Sequence, residues 1–114
     1  MGDRCYLTIM LHGHIETVAN FEDIVQAIDC EFMAPDDYSG SGPQRIAAHI
    51  VACAAAGEPA GFYAEEVNYA SIDDLESVLQ EIGQPYHVFH DAGGSYPGGC
   101  WSWTKECGKI DAVM

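Results

Sequence analysis

At 114 residues the chain can build one modest hydrophobic core, and a hydrophobic content of 48% argues against disorder despite a formal net charge of −14. Eighteen acids against four bases give a surface that repels nucleic acid and anionic membranes and attracts cations or basic proteins. The sequence contains no membrane-spanning run and no signal peptide, so we expect a single domain, residues 1–114, in the cytoplasm with reduced cysteines.

The first half of the chain predicts a strand followed by two helices. Alternating apolar residues predict a strand over RCYLTIMLHGH, and helical periodicity follows over NFEDIVQAIDCEF, with Asn20 as the N-cap. After the loop APDDYSGSG, a second helix is predicted over PQRIAAHIVACAAA, beginning at Pro43 and ended by Gly57. Because this helix is apolar nearly all round, we expect it to be largely buried.

The second half predicts a strand, a helix and a hairpin. A strand is predicted over AGFYAEEVNYA, then a helix over SIDDLESVLQEIGQP with Ser71 as its cap and Gly83 as its end. The turn GGSYPGG joins strands over PYHVFHDA and CWSWTKE, and Trp101 and Trp103 share the inward face. KIDAVM predicts either a short edge strand or a frayed end. We expect a small α+β domain in the order β-α-α-β-α-β-β, with a mixed or antiparallel sheet covered by helices and a C-terminal β-hairpin.

The segment HDAGGSYPGGCWSWTKECG collects residue types that active sites use, but its pattern favours a structural hairpin. GGCW resembles the Cys-Trp neighbourhood of papain-like proteases, yet no histidine follows Cys100 in this chain. A thiolate also requires a cationic environment, and the surrounding charge is negative. We therefore predict no catalytic residues, no cofactor and no enzymatic activity. An exposed Tyr96 or tryptophan could still anchor an interface.

The histidines carry the main alternative function. His12 and His14 project from one side of an extended segment, which is a workable spacing for metal ligands. His87 and His90 are three apart on a predicted strand, so they face opposite sides of the sheet. A small metal-binding or metal-dependent domain that uses His12, His14, His87 or His90 is the alternative, and scattered structural histidines are favoured over it.

Acidic residues fill two long stretches without lysine or arginine, one between Arg4 and Arg45 and the other between Arg45 and Lys105. Such acids lie in segments that predict ordered structure, and bases at i,i+4 spacing, which usually support a solvated helix face, are missing. We predict a partner-binding surface formed by these acids: Glu22, Asp23, Asp29, Glu31, Asp36, Asp37, Glu65, Glu66, Asp73, Asp74, Glu76 and Glu81.

The third predicted helix tests how far one element can imitate DNA. Asp73, Asp74, Glu76 and Glu81 lie away from its apolar stripe, so we expect all of them to reach solvent. A helix of about eleven residues spans about 16 Å, over which duplex DNA carries about ten charges. One helix therefore falls short, and mimicry requires several acidic segments to converge on one face.

In size, acidity and lack of a catalytic motif, the chain resembles small phage-encoded inhibitors, among them anti-CRISPR proteins that act as DNA mimics. The resemblance implies binding to the basic nucleic-acid-binding surface of a host complex, with DNA excluded and with no direct binding to nucleic acid or membrane. Charge steering would make such association fast and salt-sensitive. Solubility and a halophilic source are the competing explanations of the acidity, and the oligomeric state stays open.

Overall fold

The computed structural model describes residues 4–12, 15, 17–37, 40–68, 72–90 and 99–113. Within them the elements follow in the order β1 (Arg4–Leu11), α1 (Val18–Cys30), β2 (Ala34–Pro35), α2 (Pro43–Ala56), β3 (Ala60–Asn68), α3 (Asp73–Ile82), β4 (Tyr86–His90), β5 (Gly99–Thr104) and β6 (Gly108–Val113). These strands form one antiparallel sheet in the order β2-β3-β1-β4-β5-β6. The predicted α+β class with a C-terminal hairpin is confirmed.

One face of the sheet carries the hydrophobic core. Leu7 and Ile9 of the central strand β1 are fully buried, whereas Thr8 between them faces the other way and is only half-buried. The three helices pack on the same face as Leu7 and Ile9, because their buried residues join the same cluster. The helical contribution to this core is Ile24, Val25, Ile28, Ile46, Ile50, Leu75 and Leu79.

Helix α1 begins one turn earlier than predicted. Thr17 is the N-cap residue, and its Oγ1 accepts a hydrogen bond from the backbone N–H of Asn20 at 3.1 Å. The prediction of Asn20 as the cap is therefore wrong, since this residue lies inside the first turn. Val18 in that turn is 73% exposed, so the apolar stripe that marks the helix in the sequence starts only after it.

Helix α2 has the predicted bounds but not the predicted burial. Pro43 opens it and Gly57, in the left-handed conformation with φ 72°, ends it. Only one side is buried, through Ile46, His49 and Ile50, and Val51 on the outer side is 60% exposed. The expectation that α2 is largely buried is wrong, because a helix in a single covering layer has one side against the sheet and the other toward solvent.

The C-terminal hairpin places its tryptophans against the core, as predicted. Trp103 pairs with Tyr86 and Trp101 pairs with Val88 across β4 and β5, and both indoles pack on the core cluster. The segment KIDAVM forms most of the edge strand β6, which decides between the two predictions for it. The turn that contains Tyr96 lies outside the described residues, as does Ser71.

Candidate functional site

Helix α1 lies between the other two helices, and a groove runs along each of its sides. The groove against α3 is lined by Asp23, Asp74 and Glu81 together with neutral side chains. The groove against α2 is lined by Glu22 and Asp29, again together with neutral side chains. In the described part of the chain, no lysine or arginine lines either groove. The field in the two grooves beside α1 is therefore negative.

Glu31 connects the end of α1 to the start of α3. Its carboxylate accepts a hydrogen bond from the backbone N–H of Leu75, in the first turn of α3, where N–H groups lack partners inside the helix. Ile72, which precedes α3, provides no side-chain cap, and Glu31 supplies an acceptor to this helix end from the end of α1. Burial, followed by the charges of Asp74 and Asp73, raises the pKa of Glu31.

The helical layer therefore brings together most of the predicted partner-binding acids. They lie along both grooves and at the junction of α1 with α3, on elements whose apolar sides are fixed in the core. We call this set the acidic helical surface, and its members are Glu22, Asp23, Asp29, Glu31, Asp73, Asp74 and Glu81.

Glu76 does not belong to the acidic helical surface, although it lies on the same helix as Asp73 and Asp74. Its Oε1 accepts hydrogen bonds from the indole Nε1 of Trp101 at 2.7 Å and from the hydroxyl of Tyr86 at 2.8 Å. Gln80 donates to the same hydroxyl at 2.9 Å, and burial raises the pKa of Tyr86. Glu76 is half-buried, so the expectation that it reaches solvent is met only in part, because the half-buried indole N–H needs an acceptor and this carboxylate is within reach.

Asp36 and Asp37 lie elsewhere, beside His49 of α2. The Nε2 of His49 is 3.1 Å from a carboxylate oxygen of Asp36, and its Nδ1 is 3.4 Å from one of Asp37. The imidazole is 8% exposed and meets the ring of Phe62 edge-on at 5.3 Å between centroids. Sequence reasoning missed this cluster, because only the fold brings the loop after β2 against the first half of α2.

Cys53, one turn after His49, completes a group that resembles a nucleophile with its base. The Sγ atom is 3.6 Å from Nε2 and 3.9 Å from Nδ1 of His49. A thiol aligned with one ring nitrogen would lie distinctly farther from the other, so the geometry is not that of an activated pair. Burial, followed by the charges of Asp36, Glu58 and Asp37, raises the pKa of Cys53. The cluster thus suppresses the thiolate that nucleophilic catalysis requires.

The histidines of the metal alternative divide between the two faces of the sheet. His12 and His87 lie on the face away from the helices, with ring centroids 6.1 Å apart, and burial followed by the charge of His87 lowers the pKa of His12. His90 lies on the opposite face beside Trp101, as its spacing from His87 predicted. His14 lies outside the described residues. Among all the residues that the structure describes, no three His, Cys, Asp or Glu side chains are arranged to hold a metal ion.

Glu65 and Glu66 belong to β3, but their side chains are outside what the structure describes. No protein-family model, curated protein or solved structure matches this chain. Of the helices in the described ranges, none has the length and apolar character needed to cross a membrane.

Proposed function

We propose that the chain is a non-enzymatic acidic binding protein that occupies the basic, nucleic-acid-binding surface of a partner protein in place of DNA. Phage-encoded inhibitors that mimic DNA, the anti-CRISPR proteins among them, are the class that it resembles. The observation that supports the proposal is the acidic helical surface, whose carboxylates line both sides of α1 without a lysine or arginine among the described groove residues.

The density of charge favours two helices acting together. Helix α3 has 10 residues, so it spans about 15 Å, a length over which duplex DNA carries about nine phosphates. The acidic helical surface has three acids on α3 alone, whereas α1, α3 and Glu31 together supply seven. Because both helices are anchored in the core, these carboxylates are presented without the ordering cost that a flexible acidic tail would have on binding.

Charge reversal within the groove between α1 and α3 provides the test. The double variant Asp23→Lys/Glu81→Lys changes two exposed groove residues, and it leaves the hydrogen bonds of Glu76 intact. Its matched control is Glu58→Lys/Glu106→Lys, at exposed positions in the turns after α2 and β5. Both variants change the net charge equally, so a difference between them reports position rather than total charge.

Each protein would be immobilised and incubated with bacterial lysate at about 50 mM salt, and bound proteins would be eluted with duplex DNA. We expect the unmodified chain and the control to retain basic nucleic-acid-binding proteins that duplex DNA displaces, and the groove variant to lose them. Equal retention by both variants would contradict recognition through the groove, and retained proteins that DNA cannot displace would contradict mimicry.

A further inference from the structure

The sheet face opposite the helices has no described element packed against it. We call it the open sheet face and define it by Thr8, Tyr63, His87, Phe89, Cys100 and Ile110, which alternate with the core residues of their strands. None of these side chains reaches the burial of the core, and Phe89 and Ile110 are 39% and 56% exposed. Within the described residues, the molecule therefore has two layers, and one face of its sheet is uncovered.

The described side chains of the open sheet face carry less charge than the composition of the chain predicts. The solvent side of an antiparallel sheet is normally polar and often charged, and this chain has a net charge of −14. Among the described side chains that alternate onto this face in β1 and in β3 to β6, none is Asp, Glu, Lys or Arg, whereas at the edge next to β2 the carboxylate of Asp36 lies over it, at Gly61. The acids are concentrated on the helices and loops instead, which is the distribution expected if this face is removed from water.

The open sheet face carries stacked rings rather than isolated apolar groups. Tyr6 and Tyr63 stack with ring centroids 5.7 Å apart, and His87 and Phe89 stack at 4.5 Å. Aromatic residues are enriched in protein interfaces, and charged residues are depleted at interface centres. Both features of an interface centre are therefore present on one continuous surface.

We propose that a second copy of this chain covers the open sheet face, so that two molecules form a symmetric face-to-face dimer. Among the contacts that two copies could make, this one has the least charge repulsion, since contact through the faces that are poor in charge places the two acidic helical surfaces on the outside, at the largest separation that the pair allows. Any other contact between two copies would bring the acidic layers closer to each other.

The area of the face is sufficient for a weak dimer. The five longer strands, about 4.8 Å apart and about six residues long at about 3.4 Å each, cover roughly 500 Å². Two copies would bury about 1,000 Å² in total, which is near the lower limit of specific interfaces. The dimer should therefore dissociate within the micromolar range.

Nucleic acid is the competing occupant, because bases stack on aromatic residues of open sheets in many RNA-binding domains. Such binding depends on lysine and arginine for the phosphates. The described side chains of this face include neither, and the rest of the molecule repels a polyanion. The second copy is therefore favoured.

Sedimentation velocity from about 1 to 200 µM tests the dimer, with the mass expected to rise from 12.3 kDa toward twice that value. Phe89→Glu places a charge at the centre of the open sheet face and should keep the chain monomeric throughout. Gln26→Glu adds the same charge on α1, where the residue is exposed, and should leave dimerisation unchanged. Far-ultraviolet circular dichroism would verify that both variants fold.

Cysteine labelling provides a second measurement on the unmodified chain. Maleimide should modify Cys100 more slowly as protein concentration rises, because the dimer covers it, while Cys30 on α1 and Cys107 in the turn before β6 react at constant rates. Added salt should strengthen the dimer by screening repulsion between like charges, whereas it should weaken binding to a basic partner. The two proposals can therefore fail separately.

Three results would overturn the dimer: an unmodified chain that is monomeric over the whole range, a Phe89→Glu variant that still dimerises, or labelling of Cys100 that is independent of concentration. Tight binding of a dye-labelled oligothymidine that Phe89→Glu abolishes would identify the face as a nucleic-acid site instead.

Discussion

The indole Nε1 of Trp101 donates a hydrogen bond to Oε1 of Glu76 at 2.7 Å, and this bond ties α3 to the C-terminal hairpin. The hydroxyl of Tyr86 donates to the same oxygen at 2.8 Å. The Nζ atom of Lys109 lies 4.6 Å from the centroid of the Trp101 ring, so a cation and a carboxylate both contact one indole. In a chain with so many acids, this half-buried one has a structural role.

Removing this acceptor should destabilise the fold. Glu76→Ala leaves the N–H of Trp101 and the hydroxyl of Tyr86 without their partner, at an expected cost of about 2 kcal/mol in the free energy of unfolding. Glu76→Gln keeps an acceptor oxygen and should cost about half as much. Urea denaturation followed by tryptophan fluorescence measures both.

Glu81→Ala, on the exposed side of the same helix, is the matched control and should change stability by no more than about 0.5 kcal/mol. If Glu76→Ala were as stable as this control, the contacts of Glu76 with the hairpin would contribute nothing to the fold.

Local signals predicted the helices and the longer strands, but they missed the two-residue strand β2, which lies in the segment predicted as a loop, and the contacts between elements. The Pro43 and Gly57 boundaries of α2 follow from the backbone requirements of those residues alone, and they were correct. The contact of Glu76 with the hairpin was missed because the helical pattern shows which residues leave the apolar stripe, without showing that an indole from a distant strand reaches one of them. His49 was missed for the same reason, since its carboxylate neighbours come from the loop after β2.

The acidic helical surface was only half predictable. The sequence identified the acids, and the antiparallel sheet order then determined which helices lie side by side. Glu22 and Asp23 flank α1 and reach both grooves, while Asp36 and Asp37 face His49 on the far side of α2. That separation depends on helix packing, which no local pattern encodes.

Neutralising Glu31 should stabilise the protein near neutral pH. Burial and the charges of Asp74 and Asp73 raise the pKa of Glu31 in the folded state, so the ionised form is less favourable there than in the unfolded chain. The stability contributed by this group is present below its unfolded pKa and is lost as the pH rises through its folded pKa. Glu31→Gln retains an acceptor for the N–H of Leu75. Because the amide does not ionise, the variant should keep this stability as the pH rises.

Because solvent screens this partly exposed carboxylate, Glu31→Gln should raise the free energy of unfolding by about 0.5 kcal/mol at pH 7, which corresponds to a rise of about 2 °C in Tm. This increase should vanish below about pH 4. Differential scanning calorimetry at several pH values measures it. Glu58→Gln, in the turn after α2, is the control, because it shows how much the loss of any one negative charge changes Tm. A Tm at pH 7 below that of this control would contradict the prediction.

Gly61 and Asp36 should be energetically coupled. The backbone N–H of Asp36 donates to the carbonyl of Gly61 at 3.0 Å, and a Cβ atom at position 61 would clash with the carboxylate of Asp36. Gly61→Ala should therefore push that carboxylate away from His49 and cost about 1 kcal/mol. In an Asp36→Ala background the same substitution should be neutral or stabilising, because alanine suits a strand better than glycine.

A double-mutant cycle by urea denaturation measures this coupling, which we expect to reach about 1 kcal/mol. Additive effects of the two substitutions would show that Asp36 moves aside without loss. The sulfur of Met10 is also 3.0 Å from the added Cβ position, so Met10→Ala serves as a second background to separate its contribution.

Cys53 should be among the least reactive thiols of the described chain at neutral pH. Burial, followed by the charges of Asp36, Glu58 and Asp37, raises its pKa, so little thiolate is present. Iodoacetamide at pH 7.5 or so should modify Cys30 and Cys107, which are exposed, well before Cys53, and the rate at Cys53 should keep rising with pH. Mass spectrometry of peptides follows each cysteine separately.

Asp36→Asn/Asp37→Asn removes two of the charges that raise this pKa, and it should speed the labelling of Cys53 severalfold without changing Cys107. The result also bears on function. If Cys53 were instead the first thiol to react near pH 7, His49 would be activating it despite its near-equal distances to both ring nitrogens. That outcome would favour an enzyme with a Cys-His pair and would count against a purely binding role.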